Sequence, residues 1–192
     1  QEWQWADLVL LSGMIVQKED LIAQVKEAKS RGKAVAVGGP YATALPGDLT
    51  SIGTDYLILD EGEITLPLFV EAIERGETTG IFRAGGERPD VTTTPIPRFD
   101  LLEFKYYAEM SVQFSRGCPF QCEFCDIIVL YGRKPRTKTP EQLIAELDRL
   151  YELGWRRSIF MVDDNFIGNK RNVKIFLQEL KPWMQEHNYP FS

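Results

Sequence analysis

Long apolar runs are missing from the 192 residues, so no transmembrane segment is expected, although contact with a membrane surface is compatible with the composition. The N-terminal stretch QEWQWADLVLL has no basic region and does not read as a secretory signal. Basic residues are in deficit, 22 against 28 acidic, and the net charge of −6 argues against a nucleic-acid partner while leaving a small-molecule or lipid substrate open. Histidine occurs once, at His187, and no internal repeat is present. Cysteine is absent everywhere except positions 118 to 125. An odd count without a secretory signal disfavours a disulfide scaffold, and clustered thiols suit a reducing cytoplasm.

What is there centres on Ser115 to Asp126, SRGCPFQCEFCD, with Cys118, Cys122 and Cys125 spaced Cys-x3-Cys-x2-Cys. Three thiolates from one loop can hold three irons of a [4Fe–4S] cluster and leave the fourth iron open to a small molecule. Gly117 and Pro119 bracket the first cysteine, as a tight loop requires. Zinc is the competing metal, with Asp126 or His187 completing a tetrahedron, but structural zinc sites usually pair two CxxC knuckles and no second one exists. A cluster-bearing electron-transfer or zinc-binding module without turnover is therefore the alternative from another class.

The string CPFQCEFC resembles the signature of the radical S-adenosylmethionine (SAM) enzymes. That resemblance implies that Cys118, Cys122 and Cys125 ligate a [4Fe–4S] cluster whose open iron is chelated by SAM. An external donor reduces the cluster, which cleaves SAM to a 5′-deoxyadenosyl radical. Phe124 would pack beside the adenine.

Residues 5 to 75 alternate strand-length apolar runs with helical stripes: DLVLL, a helix over 20–30, AVAV, a helix from Pro46 to Ile52, Tyr56 to Leu59, and a helix from Ile64 to Glu74. This rhythm predicts a parallel, doubly wound sheet with helices on both faces. Ligands bind such sheets beyond the C-terminal strand ends, where SGM, GGP and DEGE fall. The order SGMIVQ, VGGPYAT, LDEGE resembles the later half of the cobalamin-binding domain of one large radical SAM class. It implies Ser12, Gly13, Gly38, Gly39, Pro40, Glu61, Gly62 and Glu63 along a cobalamin groove. The family's domain has further strand–helix units before this point, so the chain is expected to be an internal fragment.

Residues 86–109, rich in glycine and proline, read as a linker after a first domain of 1–85, with a short apolar helix near Leu101 to Tyr107. From 110 to 192 the pattern restarts. A strand over Met110 to Phe114 delivers the cysteine loop, and a basic run follows in which Arg136 is a candidate partner for a carboxylate or phosphate near the cluster. Thr139-Pro140-Glu141-Gln142 is a capping-box helix start. A strand over Arg157 to Val162 ends in Asp163-Asp164-Asn165, where barrel enzymes keep their sites; the plainer reading is a turn capping the helix that begins near Asn169. By the family resemblance Asp163, Asp164 and Asn165 contact SAM. The last helix, Lys170 to Glu186, is expected to kink or restart at Pro182, and Tyr189 to Ser192 to open a third strand.

The expected fold is α/β: the C-terminal half of a doubly wound, Rossmann-like cobalamin-binding domain, then the first β-α units of a partial TIM-type barrel. The expected parent is a cobalamin-dependent radical SAM enzyme transferring methyl to an unactivated carbon, the strings EFCDIIVLYGRKPRTKT and FMVDDNFIGNK being similar to the hopanoid C-2 methylase subgroup. A cyclase or rearrangement enzyme using the same cofactors is the alternative, and the fragment alone is expected to be inactive.

Overall fold

The computed structural model describes residues 2–192, with side-chain environments from Gln4 onward. The chain forms two compact units, Gln1–Pro89 and Asp90–Ser192.

In the first unit a short α1 (Glu2–Trp5) precedes β1 (Leu8–Ser12), α2 (Lys18–Ser30), β2 (Ala34–Gly38), α3 (Gly39–Ala44), α4 (Pro46–Ser51), β3 (Tyr56–Ile58), α5 (Gly62–Glu74) and β4 (Gly80–Phe82). The sheet order is β1-β2-β3-β4 and every pairing is parallel. Val35, Ala36 and Val37 are fully or almost fully buried, the two-faced burial that a continuous apolar strand requires. Val35, Val37, Leu57 and Leu59 meet Leu21, Val25 and Ala28 of α2, Tyr41 and Ala42 of α3 and Leu49 of α4. Ala36, Tyr56 and Ile58 meet Phe69 of α5 and Phe82 on the other face. Each such Leu, Val or Phe contributes about 1.5–3 kcal/mol by leaving water. Helices thus cover both faces, and the C-terminal ends of all four strands share one edge. The three-residue β4 was not among the expected strands, being too short to show a period.

In the second unit three 3₁₀ turns, Val91–Thr93, Phe99–Leu101 and Phe104–Tyr106, lead into β5 (Met110–Val112) and β6 (Ser115–Arg116). There follow α6 (Ile127–Leu130), β7 (Arg136–Thr137), α7 (Pro140–Glu152), β8 (Ile159–Met161) and α8 (Lys170–Glu186). Phe99 is buried in the core of this unit and Leu102 and Phe104 pack against it. Residues 90–109 are thereby its entrance rather than a free connection, and the helix expected near Leu101 is two 3₁₀ turns.

β5 and β8 pair in parallel, Met110 with Ile159 and Val112 with Met161; β6 and β7 form an antiparallel pair. Thr139 caps α7 through a capping box with Gln142. Leu143, Leu147 and Leu150 of α7 join Val173 and Phe176 of α8, Phe114 and Trp155 in the core. Pro182 does not divide α8, which runs on to Glu186. Trp183, anchored by donation from its indole N–H to Asp148 (2.6 Å) and stacked on His187, secures that last turn. Tyr189 to Ser192 form no strand, although Ile159 N–H donates to the Ser192 carbonyl (3.0 Å) and Phe191 is buried. Among the described residues no helix is long and apolar enough to cross a membrane.

Candidate functional site

The cysteine loop leaves β6 through Gly117, whose φ of +89° is a conformation that glycine alone adopts without strain. A Cβ there would stand 2.9 Å from the carbonyl oxygens of Gly132 and Lys134 and 3.2 Å from that of Tyr131. The 131–134 segment is therefore pressed onto the loop, and Cys118 N–H donates to the Gly132 carbonyl (3.2 Å). Arg136 on β7 donates to the Tyr131 carbonyl (3.1 Å), closing this segment from its far side. Cys125 N–H donates to the Cys122 carbonyl (3.2 Å), after which the chain winds into α6. Cys122 is exposed, Cys118 and Cys125 are half-buried, and Phe124 is 93% exposed.

β8 ends against this loop. The Asp163 carboxylate accepts from Phe114 N–H (3.2 Å), from Ser115 N–H and from the Ser115 hydroxyl (2.6 Å). The Asp164 carboxylate accepts from Gly117 N–H (2.9 Å), and the Asn165 side-chain amide donates to Cys118 Sγ (3.5 Å). Three consecutive side chains thus grip residues 114, 115, 117 and 118, a task the sequence did not suggest for them. They do not cap the following helix: Asn169 does that, accepting from Asn172 N–H (3.2 Å).

The donor set fits an iron–sulfur cluster: three partly exposed thiols on one loop whose backbone is fixed by carbonyls, carboxylates and a positive-φ glycine. Among the described residues no three His, Cys, Asp or Glu side chains converge on a point that would hold a single ion. His187, offered as a zinc ligand, lies at the end of α8 with Nδ1 2.9 Å from the Trp183 carbonyl and its ring stacked on Trp183.

In the first unit SGM, GGP and DEGE lie along the shared strand edge. Gly39 has φ +86°, and a Cβ there would fall 2.4 Å from Ser12 Oγ, so the ends of β1 and β2 touch only because residue 39 is glycine. Tyr41 N–H donates to the Gly13 carbonyl (3.1 Å), and Gly38 sits against the Ile58 carbonyl. Gly39 and Pro40 begin α3, while Gly62 and Glu63 begin α5. Glu61 differs from its expected place along a groove: its side chain is 1% exposed and lies 3.9 Å from Arg88.

Two features went unread in the sequence. Asp60, at φ +65°, accepts from Ala84 N–H (2.9 Å) while its own N–H donates to Thr43 Oγ1 (2.9 Å), tying the loops after β3 and β4 to α3. Asp48 is held below the ordinary carboxylate range by hydrogen bonds from Lys18 (2.6 Å), then from Tyr41 (3.1 Å). A DEGE run marks Asp60 weakly; nothing local marks Asp48.

Asp163→Asn is expected to cost roughly 1.5–3 kcal/mol, because the charge-assisted bonds to Phe114 and Ser115 lose their charge and one oxygen becomes a donor facing donors. Urea denaturation of the apoprotein measures this, and an unchanged midpoint would deny the carboxylate its loop-pinning task.

A parallel strand pair that presents a pinned three-cysteine loop at its C-terminal end defines an iron–sulfur α/β domain. Residues 112–186 match the family model of the radical SAM superfamily, to which the chain belongs. It is 73% identical over 190 residues to an uncharacterized methyltransferase of Synechocystis sp., covering 99% of this chain and 35% of that protein. It is 41% identical over 192 residues to the hopanoid C-2 methylase of Rhodopseudomonas palustris, covering 98% and 36%. The chain thus spans about a third of the length of these curated relatives. The fold is shared with the radical SAM methyltransferase TsrM of Kitasatospora setae, solved with tryptophan and a SAM analogue (TM-score 0.75, 16% identity, 98% of this chain and 43% of that one). TsrM has also been solved with cobalamin and a [4Fe–4S] cluster (TM-score 0.66, 16% identity, 96% of this chain and 42% of that one).

Proposed function

We propose that the chain is the core of a cobalamin-dependent radical SAM methyltransferase acting on an unactivated carbon of an apolar, hopanoid-like lipid. The observation that carries the reading is the three-thiol loop gripped by Asp163, Asp164 and Asn165, in a chain 41% identical to a hopanoid C-2 methylase.

Cys118, Cys122 and Cys125 would hold the [4Fe–4S] cluster. When bound, the cluster supplies the electron that cleaves SAM, and cobalamin carries the methyl group. The protein's part is positioning. Gly117 and the 131–134 carbonyls fix the loop, and the exposure of Cys122 leaves a side open to an external electron donor. Phe124 offers an uncovered aromatic face for the adenine. Backbone and carboxylate oxygens of Asp163 and Asp164 at the end of β8 would receive the ammonium of SAM, and Arg136 would meet a carboxylate or phosphate near the cluster. In the first unit Ser12, Gly13, Gly38, Gly39, Pro40, Gly62 and Glu63 would border the cobalamin, while Glu61 serves from beneath by its pairing with Arg88. The reading places the parent in the cytoplasm, with peripheral contact to a membrane that holds its substrate.

The test uses the full-length protein, anaerobically reconstituted and reduced, with cobalamin, a hopanoid and methyl-labelled SAM. Label in the hopanoid together with 5′-deoxyadenosine is the expected result. 5′-Deoxyadenosine without label transfer would indicate a cyclase or rearrangement enzyme. Neither product would indicate a cluster-bearing module without turnover.

A further inference from the structure

We infer that Asn165 is a positioning residue that raises the reduction potential of the cluster, by donating its side-chain amide N–H to the Cys118 sulfur. The inference rests on the cluster reading above and goes beyond it, assigning Asn165 to the metal side of the site rather than to SAM.

Nδ2 of Asn165 lies 3.5 Å from Cys118 Sγ, within reach for donation to sulfur. The side chain is held there. Asn165 is half-buried, and its backbone carbonyl accepts from Gly168 N–H (2.9 Å), which closes the 3₁₀ turn Phe166–Asn169 and fixes the backbone that carries the amide. That turn is pressed against the cysteine loop: a Cβ on Gly168 would stand 3.4 Å from Pro119 and from Pro135, and 3.6 Å from Asn165 Cγ. Asp163 and Asp164 grip the same loop through its backbone N–H groups and Ser115, and so fix its place without bringing a proton to sulfur. Asn165 differs in offering a donor to a ligating atom. A thiolate gains negative charge when the iron it binds is reduced, so an N–H aimed at it stabilises the reduced form more than the oxidised one.

The experiment takes the full-length protein, reconstituted anaerobically and kept free of SAM, with Asn165→Leu (similar volume, no donor) and Asn165→Gln (amide kept on a longer stem). Iron and sulfide content is measured first, then the potential by EPR-monitored redox titration. Asn165→Leu is expected to keep its iron and sulfide while the reduced-to-oxidised ratio at a fixed solution potential falls about tenfold, a shift of about 59 mV to lower potential for a one-electron couple. Asn165→Gln is expected to fall between Leu and the unsubstituted protein. An unchanged potential in a fully loaded Asn165→Leu would overturn the assignment. Loss of iron from both variants would overturn it too, making Asn165 a support of the loop alone. Zinc in place of iron in the unsubstituted protein would sink the cluster reading itself, and would be seen before any variant is measured.

Discussion

Replacing Cys118, Cys122 or Cys125 by alanine, one at a time in the full-length protein, is expected to abolish uptake of the roughly four iron and four sulfide that a cubane cluster contains. These are the chain's three cysteines, so these 192 residues offer no spare thiol to take the place of a lost one. Cys122 makes the cleanest case because it is exposed, so its truncation leaves no cavity. Cys122→Ala should change apoprotein stability by no more than about 0.5 kcal/mol while losing the cluster entirely, which separates ligand loss from misfolding. Iron and sulfide analysis with denaturation of the apoprotein reads both. Stoichiometric zinc bound through sulfur, with no iron uptake, would contradict the expectation.

Lys138→Met should be strongly destabilising while leaving every candidate site residue in place. Lys138 follows β7, its N–H donates to the Phe114 carbonyl (2.8 Å), and its ammonium pairs with Glu146 of α7. Both side chains are buried, at 9% and 3% exposure. Removing the lysine strands a buried carboxylate, a loss of about 3–5 kcal/mol, whereas Lys138→Met together with Glu146→Leu should be close to neutral or better. The pH dependence carries the sign. Burial pushes the Glu146 carboxyl above its ordinary 4.5, and the pairing with Lys138 opposes this. A carboxyl whose folded value is raised contributes stability that is fully present below its unfolded value and is lost as pH rises through the folded one. Without Lys138 the folded value climbs further. The deficit of Lys138→Met should therefore be small near pH 3.5, well below that ordinary value, where Glu146 is largely protonated folded and unfolded alike, and grow toward pH 8. Denaturant midpoints at the two pH values measure it, and a pH-independent deficit would mean that lost packing, not stranded charge, is responsible.

Much of the architecture could be read from the chain because its signals are local. The all-apolar AVAV run, the Thr139 capping box and the Leu143-Leu147-Leu150 stripe each carry their physics within a few residues, and each is found where the pattern put it. The thiol spacing is equally local. What escaped is what depends on distant partners. Residues 86–109 read as linker because glycine and proline break every period, yet from Asp90 onward they belong to the second unit, where Phe99 lies in a core made with α7 and α8. Asp163, Asp164 and Asn165 were marked as important by standing at a strand end, but nothing local says that their partners are the backbone of Ser115 and Gly117 and the sulfur of Cys118. Glu61 sits in a run that reads as loop and is buried because Arg88 reaches it from the far end of the unit.

The grip of β8 on the cysteine loop joins residues 47 to 49 positions apart, and this sets an order of events. Closing a segment of that length costs roughly 3 kcal/mol of chain entropy before any contact within it repays the loss. The loop therefore takes its shape after α7 has packed and β8 has paired with β5. At translation speeds of about 5–20 residues per second, Asp164 follows Gly117 out of the ribosome by roughly 2–10 s. During that interval the three thiols are ordinary cysteines, open to oxidation or to capture by a stray metal ion, and delivery of iron and sulfide has to wait for the strand that comes afterwards.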